Sequence, residues 1–522
     1  MGLLDPKRLI SMQRQRDQDW RRRQAQARNG LISSRAKKRG SPFQLDDDSQ
    51  DGETELYLGP RLPEDILCHI HSLMPMEDAA RVSCVSRAFL RSWRCHPNLA
   101  FSKETLGLNK KACGNDELAR DFSSKVDNIL KKHSGIGVKA LKIHMFNDFN
   151  AKDSCNLDSW LQIAVTPGIE ELTVRLPFKA KYNFPCSLLS NGSGDSIRYL
   201  HLACCSFRPT AKLGWFRSLT RLHLNFVRTT GDDLGCLLSS SFALERLEIR
   251  YCNRIVCLKV PCVLQRLSYL QVLDCEGLKV IDSEAPNISS FWFHGYDVQL
   301  SLGETLKMKN LFIAFSGAVH YTRMELPFSM PNLETLTIVS GSEMADTPML
   351  QSKFLHLKNL TIILTAVSFS PGYDYISLVS FLDACPSLEN FDLDVTHRAM
   401  EHVSIFTDPS DLRRMREQHH HKMKSMKIRG FSSAKSLVEL TCHVVESVTS
   451  LECLTLETCQ SSSRCWLPWN KSGKCTPLPM GVLIEAQRAL SAIRTYIEPK
   501  VPSTVKLHVV ETCSRCHAVE QL

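Results

Sequence analysis

The residues best equipped for chemistry lie near the end of the chain, in Cys513-Ser514-Arg515-Cys516-His517. C-x-x-C-H is the spacing of covalent haem attachment, and it also offers three zinc ligands. Haem attachment requires export and a haem-enclosing fold, and neither is visible. Zinc requires a fourth ligand, which Cys459, Cys465 or Cys475 would have to supply. Tetrahedral sites usually come as two paired knuckles, and only one is present here. The segment is therefore read as a plain C-terminal cap holding free cysteines, with no metal and no cofactor. His419-His420-His421, with His397 and His402 nearby, forms a second cluster. The charged run Arg413-Arg414-Met415-Arg416-Glu417 beside it makes an exposed loop or helix the expectation. Catalytic signatures are missing: there is no Gly-x-Ser-x-Gly, no phosphate-cradling Gly-rich loop and no H-E-x-x-H. No cysteine carries the local pattern of a thiol enzyme. The chain is expected to bind rather than catalyse.

What positions the binding groups is a repeat. Past Lys132 an apolar residue, two others, an apolar residue, one other and an apolar residue recur thirteen times, at intervals of 20 to 35 residues. The units start with Val138-Leu141-Ile143, Ile169-Leu172-Val174, Ile197-Leu200-Leu202, Leu219-Leu222-Leu224 and Leu244-Leu247-Ile249. They continue through Leu267-Leu270-Val272, Ile288-Phe291-Phe293, Met308-Leu311-Ile313, Leu333-Leu336-Ile338 and Leu357-Leu360-Ile362. Leu388-Phe391-Leu393, Met423-Met426-Ile428 and Leu451-Leu454-Leu456 complete them. The last three positions of each core alternate as a strand does, so the apolar pair faces a core and the residue between faces out. One short strand cannot bury its own face, whereas stacked strands share a core and a parallel hydrogen-bond ladder. The returning segments are expected to be loops and short helical turns. Many lack the asparagine that regular repeats place after the strand, and Cys252, Cys275 or Cys459 stands near that point.

The outward positions then form the binding surface: Tyr199, His201, Arg221, His223, Arg246, Glu248, Arg250, Trp292, His294, Asn359, Asn390, Asp392 and Asp394. Basic and imidazole groups dominate from Tyr199 to Arg250, and Asn390, Asp392 and Asp394 make the later part acidic. Trp292 sits between them as a typical hot-spot residue. The expectation is that a protein substrate docks around Trp292 with complementary charge on either side. Arg221, Arg246 and Arg250 would serve equally to hold a small anion.

Before the repeats, residues 61–101 predict three short helices. Pro63 stands at the first helical position, with Glu64 and Asp65 in the first turn. Leu62, Ile66, Ile70 and Leu73 share one face. Met74-Pro75 breaks the chain, Ala79, Val82 and Val85 mark a second helix, and Ser86 caps a third through Phe89, Leu90 and Trp93. These helices carry more apolar surface than they can bury among themselves. Residues 102–135 predict a helical connector with Leu118, Phe122, Val126, Ile129 and Leu130 on one face.

Of 522 residues, 43% are hydrophobic and 23% charged, which fits a globular chain of several domains or one elongated array. No apolar run is long enough for a membrane span, no secretory pattern opens the chain, and a soluble intracellular protein is expected. The 21 cysteines are scattered, which suits buried free thiols in a reducing compartment. Residues 1–45 hold twelve Lys/Arg against three Asp, and the remainder is neutral, so the net charge of +9 lies in this tail. Arg21-Arg22-Arg23 and Arg35-Ala36-Lys37-Lys38-Arg39 read as a nuclear-localisation signal or nonspecific nucleic-acid patch, or else as a solvated leader. An acidic linker follows. Neutrality of the rest argues against a nucleic-acid groove.

Leu62-Pro63, the helix after it, Val82-Ser83-Cys84-Val85-Ser86-Arg87 and Trp93 resemble an F-box, and the L-x-x-L-x-L cores resemble leucine-rich repeats. Lys424–Phe431, Leu437–Leu440 and Leu451–Leu456 are similar to the C-terminal repeats of an FBD-like region, and the whole is similar to plant F-box/leucine-rich-repeat proteins. The resemblance implies an α/β fold: a three-helix F-box followed by an irregular repeat solenoid, a horseshoe with a parallel sheet on its concave face. The segments are then 1–60 tail, 61–101 F-box, 102–135 connector, 136–460 solenoid and 461–522 C-terminal cap. It further implies a non-catalytic subunit of a Skp–cullin–F-box ubiquitin ligase, acting in the nucleus or cytoplasm. Leu62, Pro63, Ile66, Ile70, Val82 and Val85 would grip the Skp-family adaptor, and the repeats would hold a protein substrate. Some relatives of this architecture resemble hormone sensors, which implies a small-molecule receptor as the alternative.

Overall fold

The computed structural model describes residues 63–108, 115–134, 137–146, 149–190, 192–209, 216–296, 298–303, 305–343, 353–365, 373–396, 402–407, 411–413, 421–459, 465 and 473–517. Leu62, the basic tail, His397, His419 and His420 lie outside them.

The alternating cores build one parallel sheet of 15 strands. It opens with β1 (Asn98–Phe101), β2 (Ala140–His144), β3 (Glu171–Arg175), β4 (Tyr199–Ala203), β5 (Arg221–Asn225) and β6 (Arg246–Arg250). Outside it, β7 (Cys257–Val260), β9 (Val280–Ser283) and β11 (Gln299–Ser301) form a second, three-stranded sheet. The large sheet continues through β8 (Tyr269–Leu273), β10 (Ser290–His294), β12 (Asn310–Ala314), β13 (Thr335–Ser340) and β14 (Asn359–Thr365). It ends with β15 (Asn390–Thr396), β16 (Ser425–Arg429), β17 (Cys453–Glu457) and β18 (Lys506–Val510). All thirteen predicted cores become strands, in order.

Two strands extend the expectation. β1 comes from the end of the segment read as helical module, and β18 from the segment read as cap. Each supplies an outer neighbour for a strand whose edge would otherwise be bare.

Register is unstaggered. The middle apolar residues pair directly across neighbouring strands, from Leu141↔Leu172 and Leu200↔Leu222 to Phe391↔Met426 and Met426↔Leu454. Leu141, Leu172, Leu200, Leu270, Leu336 and Leu454 are fully or almost fully buried, so the predicted inward pair is the core. A one-residue slip would turn this row to solvent, and that penalty sets the register.

The return path depends on interval length. Between cores spaced 25 residues or more the chain folds into helices such as Ala151–Ala164, Gly231–Leu238 and Lys435–Ser447. From Leu244 to Met308 the intervals shorten to 23, 21 and 20 residues. A helix no longer fits there. The return strands β7, β9 and β11 replace the expected loops and helical turns, because extended chain covers the distance with fewer residues. These returns pack closely. A Cβ at Gly277 would lie 2.1 Å from the Asn253 carbonyl oxygen, and one at Gly231 would lie 2.0 Å from that of Cys257.

Where regular repeats use asparagine, Cys252 and Cys275 do the equivalent work. Both are buried, and the Cys252 N–H donates to Cys275 Sγ at 3.4 Å. Burial pushes the Cys275 thiol up to about 12, so it stays protonated and inert. Cys205, Cys385 and Cys442 are likewise buried free thiols, as expected, whereas Cys84, Cys95, Cys155, Cys236 and Cys262 are exposed. No described helix is long and apolar enough to cross a membrane.

Candidate interaction surfaces

The helical module consists of α1 (Glu64–Leu73), α2 (Met76–Val82) and α3 (Arg87–Trp93). Pro63 is not the first helical residue but the cap before it, with ψ 149, and its carbonyl accepts the Leu67 N–H at 3.1 Å. Ser86 caps α3 as predicted, its hydroxyl oxygen accepting the Phe89 N–H at 3.2 Å. α1 buries His71, whose ring stacks on Phe89 at 5.2 Å. Met76 and the buried His96 seat the module on the first strand: the Ala100 N–H approaches Met76 Sδ to 3.1 Å, and His133 Nε2 lies 3.0 Å from the His96 carbonyl. His133 closes α4 (Asn115–Lys132), the predicted connector, which buries Leu118, Phe122, Val126 and Leu130. Burial holds the imidazoles of His71, His96 and His133 below their ordinary range, and so neutral.

What remains outside is apolar. Ile66, Ile70 and Leu73 are exposed at helical spacing on one face of α1, Ile70 at 38%. Leu90 of α3 is exposed as well. Val85 projects from the turn after α2 at 75% exposure, while Val82 is only half-buried and Ala79 is fully buried. The surplus apolar surface read from the sequence is therefore present on the folded chain.

On the open face of the large sheet, unstaggered strands set the outward residues in rows. One row runs Thr173, His201, His223, Glu248, Gln271, Trp292, Phe312, Thr337, Thr361, Asp392, Lys427. Neighbours in a row are about 4.8 Å apart, so these side chains meet each other before they meet a partner. Trp292 stacks on Phe312 with ring centroids 4.8 Å apart and remains 37% exposed.

Models of two families match the chain: the F-box domain over residues 60–100 and the LRR domain of the At1g61320/AtMIF1 type over residues 129–514. The F-box/FBD/LRR-repeat protein At1g13570 of Arabidopsis thaliana is 22% identical over 343 residues, 64% of this chain and 75% of that protein. The putative F-box/LRR-repeat protein At3g49150 of the same plant is 23% identical over 370 residues, 64% of this chain and 55% of that protein. The chain thus spans three quarters of one relative and about half of the other. It belongs to the plant F-box/leucine-rich-repeat family.

Within this F-box/leucine-rich-repeat protein, ion pairs on the open face partly compensate the predicted division of charge. Glu248 stands between Arg246 and Arg250, 3.2 Å from each, with His223 Nδ1 at 3.8 Å. Arg250 also donates to Gln271 at 2.6 Å, and the Arg246 guanidinium lies over the Tyr269 ring at 3.8 Å. In the cluster read as an anion holder, Arg246 and Arg250 share a single carboxylate, so net positive charge remains; Arg221 is exposed and Tyr199 half-buried. At the other end Arg429 of β16 bonds Asp394 at 3.0 Å and Asp392 at 3.5 Å, one cation against two carboxylates, which weakens the expected acidic patch. At that end parallel pairing delivered the opposite charge from the next strand, a relation invisible to a reading one repeat at a time, whereas Glu248 lies on the same strand as Arg246 and Arg250. His294 pairs with Asp274 at 2.7 Å. His201, expected outward and accessible, is only 8% exposed because it is stacked between row neighbours.

Phe312 and the rim beyond the strand ends add to the surface expected from the cores. Cys204, Phe226, Tyr251 and Asp274 each follow a strand directly and each adopt a positive φ, between 53 and 60. Their N–H groups extend the ladder, as Phe226 does to the Arg250 carbonyl at 2.9 Å. The turn stacks Phe226 on Tyr251 at 4.3 Å and sets Phe178 against Phe226 at 4.9 Å. The signal was the residue two past the last apolar position of these four cores, at constant offset.

Two cysteine and histidine clusters were also judged from spacing alone. His402 packs against Glu485 at 3.2 Å, and His421, which is exposed, lies near Thr449, so the described members of the histidine group do not converge. The cysteines do converge. Cys465, Cys475, Cys513 and Cys516 bring their sulfurs within 4.8 Å of one another. Spacing in the sequence does not show this convergence, because the second pair is contributed by residues ten apart, a gap too wide to look like a knuckle.

Proposed function

We propose that this protein is the substrate-recognition subunit of a Skp–cullin–F-box type ubiquitin ligase. The observation that carries the reading is the exposed apolar face of α1, Ile66, Ile70 and Leu73, on a segment matched by the F-box model. Folded chains rarely leave such a stripe on a charged helix without a partner to cover it. In this reading Pro63, Ile66, Ile70, Val82 and Val85, with Leu62 before them, contact a Skp-family adaptor and through it a cullin. The open face of the sheet, centred on Trp292 and Phe312, takes a protein substrate. The chain supplies position, not a nucleophile: holding a substrate lysine near a conjugating enzyme raises its effective concentration. It works in the nucleus or the cytoplasm, where adaptor and cullin are found.

The test is co-purification of the full chain with a Skp-family adaptor. Binding by the wild type, and its loss on Ile70→Asp with the fold retained, supports the reading. Equal recovery of adaptor with Ile70→Asp and Ile66→Asp overturns it.

A further inference from the structure

Four thiols meet beyond the last repeat. Cys465 and Cys475 come from the segment between β17 and the helix Met480–Ala492, Cys513 and Cys516 from the turn after β18. All four sulfurs lie within 4.8 Å of one another, and Cys465 and Cys513 are 3.6 Å apart. A tetrahedral zinc with Zn–S bonds of about 2.3 Å places its sulfurs about 3.8 Å apart. The observed spacing therefore brackets the size of the ion.

The backbone is arranged to hold this set. The Cys465 N–H donates to Cys475 Sγ at 3.3 Å, the kind of N–H···S bond that orients a thiolate ligand. The Cys516 and His517 N–H groups both donate to the Cys513 carbonyl, at 3.2 and 2.9 Å, closing the C-x-x-C turn. His517 Nε2 lies 3.1 Å from the Thr476 carbonyl and joins the two cysteine segments beside the cluster. His517 Nε2 is thus occupied, and the four sulfurs complete a tetrahedral set without this ring.

The geometry points to a structural zinc site formed by Cys465, Cys475, Cys513 and Cys516. Binding converts four thiols and one Zn²⁺ into a tetrathiolate with a double negative charge and releases four protons. Lys474 and Arg515, next to ligands in sequence, supply compensating positive charge. Four protein ligands leave no open position, so the ion takes no part in a reaction. Its place in the fold gives it a mechanical role. β18 is the last strand of the sheet and only half-covered. The ion ties the chain leaving β18 to the segment after β17, closing the C-terminal edge of the large sheet, where among the described residues β18 has a strand neighbour on one side alone. This site stands independently of the adaptor reading.

The experiment is metal analysis of the full chain, purified reduced and without chelator. The expected result is about one zinc per chain, with four cysteines that resist alkylation until the metal is stripped. Cys475→Ser and Cys516→Ser each lower zinc content roughly tenfold or more, while Cys262→Ser, exposed and distant in sequence, keeps it. Because a ligand variant can fail to fold, cobalt exchange into the wild type provides a second readout: four sulfurs give thiolate-to-cobalt charge-transfer bands and tetrahedral ligand-field absorption. Wild-type chain that stays metal-free after incubation with zinc, a mass showing these cysteines paired as disulfides, a folded Cys475→Ser chain with undiminished zinc, or a cobalt spectrum lacking thiolate bands would each overturn the proposal.

Discussion

His201 and His223 lie face to face on the open side of the sheet, with ring centroids 4.1 Å apart and planes 1° from parallel. They are direct partners in β4 and β5, and strand pairing alone brings the rings together. Burial is the main cause that holds the His201 imidazole down to about 2 and that of His223 to about 4, with Glu248 opposing the shift at His223. Both rings are neutral in the folded protein.

A pH dependence follows, and its sign is fixed. The unfolded chain protonates these histidines below about 6.5 and the folded chain does not. Stability is fully present above that pH and falls as pH drops, through His223 to about 4 and His201 to about 2. Each contributes a slope approaching about 1.4 kcal/mol per pH unit once the unfolded form is charged. Denaturant midpoints between pH 7.5 and 5, about this range, should fall more steeply for wild type than for His201→Asn. Parallel profiles would refute the assignment.

Arg413 and Glu439 give a second case. The Glu439 carboxylate is buried and accepts from the Arg413 guanidinium at 2.6 and 2.8 Å, while Arg413 also reaches Asp374 at 2.7 Å. Arg413→Ala leaves the carboxylate buried without this partner and should cost about 3 kcal/mol. Arg413→Ala together with Glu439→Gln should recover part of that loss in thermal unfolding.

Trp292 and Phe312 are expected to act as a pair. Their stack contributes about 1 kcal/mol, so Trp292→Ala and Phe312→Ala should be non-additive in a double-mutant cycle. Both should also diminish substrate capture in proximity labelling. Retention of every wild-type prey by the double variant would exclude this stretch as the substrate surface.

At Gly277 the fold leaves no room for a side chain, since the nearest obstacle is backbone. Gly277→Ala should destabilise by about 1–3 kcal/mol, whereas Gly235→Ala, with open space around it, should be neutral or stabilising. Equal melting temperatures for the two variants would contradict the close packing of the return strands.

The sequence by itself determined the strands. Thirteen cores were legible because alternation with period two fixes which residues face inward, and the repeat fixes which strand comes next. The exposed apolar residues Ile66 and Ile70 were legible for the same kind of reason, since helical spacing alone places them on one face. Tertiary structure decided everything that depends on a neighbour across the ladder. Arg429 reaches Asp394 from 35 residues away, and Cys465 meets Cys513 from 48 residues away. A charge or a thiol carries no mark of its partner when that partner is one or two repeats distant. Only the unstaggered stacking of strands, which sets that distance in space, could bring these side chains together.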